Sequence, residues 1–233
     1  VLAGTFFIVI EGYQYNASTE VTIDDEPVNS LQEALEQAAA GEKTDYVIDV
    51  GIGNHTLSEA VDLNGKNITL RGNGEEDSVI DGGLALSGGS LALENATLNG
   101  DITGSGALSM ANVSVNGSVN VAGETSRQIS LFSARTNTAA AEVSFENVNF
   151  NGTVAVSDAN VRFENCTLTA TVEKDGSAVL IDGGSLALAG NAFSMQNAGE
   201  DEKNHAPVLL RVNNASFTAE SGSYSAKGGV VLW

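Results

Sequence analysis

The chain has 233 residues, and its 30 Asp+Glu against 10 Lys+Arg give a formal net charge of −20, which excludes nucleic-acid backbones and anionic membranes as main partners. With 42% hydrophobic residues, 26 Gly and 2 Pro, it is neither disordered nor collagen-like, and its single Cys excludes an intrachain disulfide framework. No apolar run approaches the roughly 20 residues that span a bilayer.

Residues 1–26 are expected to form an N-terminal strand segment that opens on VLAGTFFIVI. Val1 stands where a Met would start a chain, which reads as a processed or trimmed product. The apolar run is too short to span a membrane and lacks a basic flank. A signal-peptide remnant and a short anchor are the alternatives to the favoured reading, a β-strand that is buried or paired with a partner.

Residues 27–44 hold the predicted helix. Ser30 and Glu33 make a capping box ahead of LQEALEQAAAG. Leu31, Ala34, Leu35 and Ala38 fall on one face, and Gly41 is the expected stop.

From residue 45 to 233 the chain repeats. Alternating apolar residues lead into a polar pair containing Asn, followed by further alternation. The copies centre on Leu93 with Asn95, Met110 with Asn112, Phe145 with Asn147, and Phe163 with Asn165. Looser copies are Leu70 with Asn73, Leu188 with Asn191, and Val212 with Asn214 and Phe217; SVIDGG at 78–83 pairs with VLIDGG at 179–184. The spacings of 17, 18, 25 and 24 residues fit coils of a parallel β-helix. The 35 residues from Met110 to Phe145 leave room for one extra coil around Ile129 and Leu131. Roughly eight coils would make a rod about 40 Å long. Asn suits a corner because it tolerates the left-handed conformation and can bond the Asn one coil away. Gly72, Gly74, Gly82, Gly83, Gly88, Gly89, Gly183 and Gly184 are assigned to the other corners. The helix before the first coil is expected to cover its apolar end.

The run from the helix through YVIDVGIGNHTLSEAVDLNGKNITLRGNGEEDSVIDGG resembles the opening of pectin-lyase-like, right-handed parallel β-helix proteins. The residues that carry the resemblance are Tyr46 to Val50, Gly51, Gly53, and Ile68 to Gly74. It implies the fold over about residues 28–233 and no particular activity, because the superfamily holds lyases, hydrolases, esterases and non-enzymatic surface proteins.

A search for chemistry returns little. Asp81 and Asp182, both in IDGG, are the best glycosidase-like pair, but the coil count puts them too far apart to share a bond. His55 and His205 have no metal-ligand partners at the right spacing. Cys166 reads as a small buried apolar residue. Asp24 and Asp25, with Glu26, and the cluster Glu75, Glu76 and Asp77 are weak Ca²⁺ candidates, as is Glu200 to Glu202; no other cofactor is expected. None of these clusters has the alternating acid pattern of a Ca²⁺ loop, and solvated surface charge is the favoured reading.

Nine N-x-S/T sequons occur, at Asn16, Asn54, Asn67, Asn95, Asn112, Asn116, Asn151, Asn165 and Asn214. Export with glycosylation explains the excess, and so does the corner template. Asn16, Asn54, Asn116 and Asn151 lie off the corners and are the expected glycan acceptors.

Three functions compete. The favoured one is a non-enzymatic extracellular structural protein of a cell surface that self-assembles through its ends. Phe6, Phe7, Ile8, Val9 and Ile10 supply one apolar strand, and Val230, Val231, Leu232 and Trp233 supply the other. An adhesin or glycan-binding module comes second, with Tyr13, Tyr15, Tyr224 and Trp233 as the aromatics left for sugars. A polysaccharide lyase or hydrolase comes last.

Overall fold

The computed structural model describes residues 18–123, 140–198 and 206–232. The described chain is all-β apart from one α-helix, Leu31–Ala40. Period-two alternation dictates the strands. In Leu84–Asn99 the side chains of Leu84, Leu86, Leu91, Leu93, Ala96 and Leu98 are buried, while Ala85, Ser87, Ala92 and Thr97 alternate outward.

The strands pair in three parallel stacks, each strand lying against the one a lap earlier. The Phe163 stack puts Ile48, Leu70, Leu93, Met110, Phe145, Phe163, Leu188 and Ala219 in one inward column. The Phe150 stack aligns His55, Ile80, Leu98, Val115, Phe150, Leu168, Phe193 and Tyr224. The Val156 stack contains the inward column Leu84, Ile102, Val119, Val154 and Val179, continued by Leu210 and Leu232. Aromatic rings run through the core, with centroids 4.8 Å apart for Phe145–Phe163, 5.3 Å for Phe163–Phe193 and 5.7 Å for Phe193–Tyr224.

The long strands change stack where the backbone turns left-handed. Asn95, Asn112, Asn147 and Asn165 have φ of 52°, 54°, 53° and 53°. Of the glycines assigned to corners, Gly72 and Gly83 are not at positive φ, and Gly72 works differently. An added Cβ there would stand 2.2 Å from the Asn95 carbonyl oxygen, so Gly72 permits close approach of two laps.

Helix Leu31–Ala40 packs at the start of the stacks, burying Leu31, Ala34, Leu35 and Ala38. The Ser30 hydroxyl accepts from the Glu33 amide at 3.2 Å, while the Glu33 carboxylate reaches back to the Asn29 amide at 3.2 Å. Gly41 ends the helix in extended conformation; an added Cβ would collide with the Tyr46 hydroxyl. Ahead of the helix, Val21–Ile23 and Glu26–Val28 form an antiparallel hairpin across Asp24 and Asp25, both at positive φ. The hairpin straddles the boundary drawn at residue 26, and Val21–Ile23 also pairs antiparallel with Asp45–Asp49.

Two expectations are corrected. Phe145 pairs directly with Met110, so no coil intervenes between them. Ile129 and Leu131 belong to the residues 124–139, outside the described residues. Val212 is not the next copy of Leu188; it pairs with Ile181, and Ala219 takes the Leu188 column. The equal-looking spacing was coincidental because lap lengths vary. Phe217 does lie in an inward column, on Leu186, yet is 37% exposed because among the described residues no strand lies beyond it.

Candidate functional site

The predicted site residues are scattered. Asp81 lies in the Phe150 stack and Asp182 in the Val156 stack, so the two carboxylates are on different faces. Each accepts from an amide on a later lap, Asp81 from Asn99 at 2.6 Å and Asp182 from Asn214 at 3.2 Å. His55 sits half-buried with Nε2 2.7 Å from the Gly51 carbonyl oxygen. Cys166 is buried, 3.4 Å from the Phe145 carbonyl, and burial pushes its thiol up to about 11. A thiol so held stays protonated at neutral pH.

Among the described residues no three His, Cys, Asp or Glu side chains converge on one point. The Glu75 carboxylate accepts from Ser114 at 2.7 Å, and Glu76 is exposed beside Asp77. Asp24 bonds the Lys43 ammonium at 2.8 Å and the Val47 amide at 3.0 Å. The Lys43 hydrogen bond, then that of Val47, holds the Asp24 carboxyl below the usual carboxylate range. Asp25 serves the hairpin turn. Residues 200–202 and His205 lie outside the described residues.

Two amide ladders climb the surface. The corner ladder runs from Asn147 to Asn112 and from Asn112 to Asn95, each Nδ2 donating to the next Oδ1 at 3.1 Å. The second lies on the Phe150 stack. Asn151 donates to Asn116, and Asn116 to Asn99, both at 2.7 Å, and Asn99 donates to Asp81. Asn116 and Asn151, although off the corners, have their Nδ2 atoms held in a ladder as the corner Asn do. Asn54 is exposed on Gly53–Thr56, and Asn16 lies outside the described residues.

The ladder belongs to a larger pattern that no single motif of the sequence contains. Among the outward side chains of the Phe150 stack two rows stand out. One runs Thr97, Ser114, Asn149, Thr167, Ala192 and Ser223, and the other Asn99, Asn116, Asn151, Thr169, Ser194 and Ser225. None is charged. The Phe163 stack, by contrast, turns Asp49, Arg71, Glu94, Glu146, Arg162 and Glu164 outward. The sequence signal was the recurring pattern of a small polar residue, an apolar residue and Asn two or three residues past each corner, as in TLN, SVN and NFN.

The aromatic candidates for sugar stacking also change. Tyr224 turns inward, partly buried against Phe193 at an interplanar angle of 86°. Burial raises its hydroxyl pKa. Tyr13, Tyr15 and Trp233 lie outside the described residues.

The last lap is the other unusual surface. Among the described residues Val230 and Leu232 pair with Val208 and Leu210 on one side only. They are 37% and 48% exposed, although Val208 and Leu210 below them are 1% and 3% exposed. Val231 is 38% exposed. Phe6 to Ile10 lie outside the described residues. No helix among the described residues is long and apolar enough to cross a membrane.

Comparison of the chain with protein families, curated proteins and solved structures finds no match.

Proposed function

We propose that this chain is a non-enzymatic structural protein of a cell surface, exported, and assembling end to end. We read the three stacks as the sides of a parallel β-helix of the pectin-lyase-like kind. Lap-by-lap parallel pairing supports that reading, and the twist of L-amino-acid strands favours a right-handed winding. Nine sequons and a strongly acidic composition suit an exported surface.

The observation that carries the assembly reading is the last lap. Phe217 and Leu232 occupy inward columns whose members are buried on every earlier lap, and here they stand partly in solvent, as does Val230 above the buried Val208. The strands Ser216–Ala219, Gly222–Lys227 and Val230–Leu232 each pair along one edge among the described residues. An open apolar edge of this kind templates strand addition. The occupant proposed is the segment VLAGTFFIVI, residues 1–10, of a second copy, which is apolar and uncharged. Head-to-tail addition does not close on itself unless the rotation allows it, so it builds filaments or rings. With −20 on every copy, assembly strengthens as salt screens the repulsion.

The test compares the parent chain with Val230→Asp plus Leu232→Asp, and with a chain lacking residues 1–10, by light scattering and negative-stain imaging. The expected result is filaments or rings from the parent in 0.5 M salt (roughly, a Debye length of a few ångströms) and loss of assembly in both variants. A parent that stays monomeric at high concentration, or variants that assemble like the parent, overturns the proposal.

A further inference from the structure

From the two outward rows on the Phe150 stack we infer a second contact, in which this face pairs side by side with the same face of a second copy. It concerns a different surface from the last lap and stands without the end-to-end reading.

Copies carrying −20 each repel one another, and any close contact must be made where charge is absent. The rows from Asn99 to Ser225 supply such a surface. Asp81 ends the face toward the helix, and Lys227, two residues past Ser225 and paired with Gln196, flanks it on the last strand; Glu75 marks one rim by its bond to Ser114. Asp101, accepting from the Ser118 amide, marks the other. A neutral polysaccharide would gain nothing from the exclusion of charge, whereas a second acidic copy requires it. That difference selects the occupant.

The geometry is compatible with self-pairing. Rows on one parallel stack repeat at about 4.8 Å, so two copies of the face share one period and their side chains can interdigitate. Asn and Thr bonded along their own row still offer a second N–H or a lone pair outward. A two-fold arrangement lets each copy present donors to the other's acceptors. Six rungs, with neighbouring outward rows roughly 6.8 Å apart, give on the order of 400 Å² per copy. That is the size of a weak, reversible contact, which becomes strong only when many copies are linked. A glycan on Asn116 or Asn151 would stand on this face, so glycosylation there and pairing exclude each other.

The experiment is sedimentation equilibrium on the full chain, with Thr169→Glu and Thr169→Lys placed near the middle of the face and Ser109→Glu on the charged Phe163 stack as control. Thr169 and Ser109 are both exposed. The parent is expected to dimerise, Thr169→Glu to weaken dimerisation at least tenfold, and Ser109→Glu to leave it unchanged. An equimolar mixture of Thr169→Glu and Thr169→Lys is expected to associate more tightly than either variant alone, a result that a damaged fold would not give. Adding Val230→Asp and Leu232→Asp is expected to leave this contact intact, which separates it from end-to-end assembly. A monomeric parent, equal weakening by Ser109→Glu, or no gain in the mixture overturns the proposal. So does binding of a neutral β-glucan by a monomeric parent that Thr169→Glu abolishes.

Discussion

At the scale of single residues, one slot per lap decides where the chain turns. Asn95, Asn112, Asn147 and Asn165 fill it at nearly one φ, and Gly190, at φ 69°, fills it on the next lap. That substitution moves Asn191 into the inward place held by Cys166 one lap earlier. There it is 1% exposed and accepts from the Cys166 amide at 2.8 Å while donating to the Phe163 carbonyl at 3.1 Å. A buried amide is tolerated because both sides of it are bonded. The slot makes two demands, left-handed backbone and an amide for the ladder, and they can be separated. Asn112→Gly keeps the backbone and loses both ladder bonds, at an expected cost of about 1–2 kcal/mol. Asn112→Ala adds the left-handed penalty of about 1–2 kcal/mol more. Urea unfolding of the two variants measures the difference, and equal midpoints would show that the backbone demand is not real.

At the scale of elements, the helix was legible because its signals are local. Ser30, Glu33 and the spacing of Leu31, Leu35 and Ala38 lie within one short window. The hairpin before it was not, because Asp24 and Asp25 look like any acidic surface pair until their positive φ is seen. Strand identity and the columns through Leu93, Met110, Phe145 and Phe163 could be read because period-two alternation and the Asn slot recur together. The columns through Val212 and Ala219 could not, because the lap from Leu188 to Ala219 is 31 residues and lacks the template. The uncharged face escaped because it depends on which residues share a stack, a relation between laps that no single window contains. The hairpin carries a pH dependence. Asp24 binds its proton less readily in the fold than in the unfolded chain, since Lys43 and Val47 hold the charged form. It therefore adds stability above the ordinary carboxylate range, and loses that contribution as pH falls through its lowered value. Asp24→Asn keeps a residue suited to the turn and removes the titration. Below about pH 4 the parent is expected to lose stability more steeply than Asp24→Asn, as read from urea midpoints between pH 2 and 6 (roughly the carboxylate range). Parallel midpoint curves would remove Asp24 from the acid response.

At the scale of the whole molecule, the two ends of the stacks differ in kind. The first laps are covered by helix Leu31–Ala40 and the hairpin, and their inward residues Ile48, Leu63 and Leu70 are fully buried. Among the described residues the last lap has a neighbour on one side only, and its inward residues stand partly in solvent. Where each strand touches only the laps before and after it, opening at an end disrupts one interface, while opening in the middle disrupts two. The middle also holds the aromatic run Phe145, Phe150 and Phe163, with centroids 4.8 to 5.9 Å apart. Amide hydrogen exchange on the monomer should therefore be fastest over residues 216–232, slower over the helix-covered strands Asp45–Asp49 and Asn67–Arg71, and slowest over Ala141–Glu146 and Val154–Glu164. Phe163→Ala removes a fully buried ring from the middle and is expected to cost about 3–5 kcal/mol. Its effect on exchange should be largest in the laps that touch it and smallest at the hairpin. In conditions where copies assemble through the last lap, protection of residues 216–232 should rise toward that of the interior while the hairpin stays as it was. Uniform exchange along the chain, before and after Phe163→Ala, would mean that the laps unfold as one unit and that the open last lap carries no local weakness.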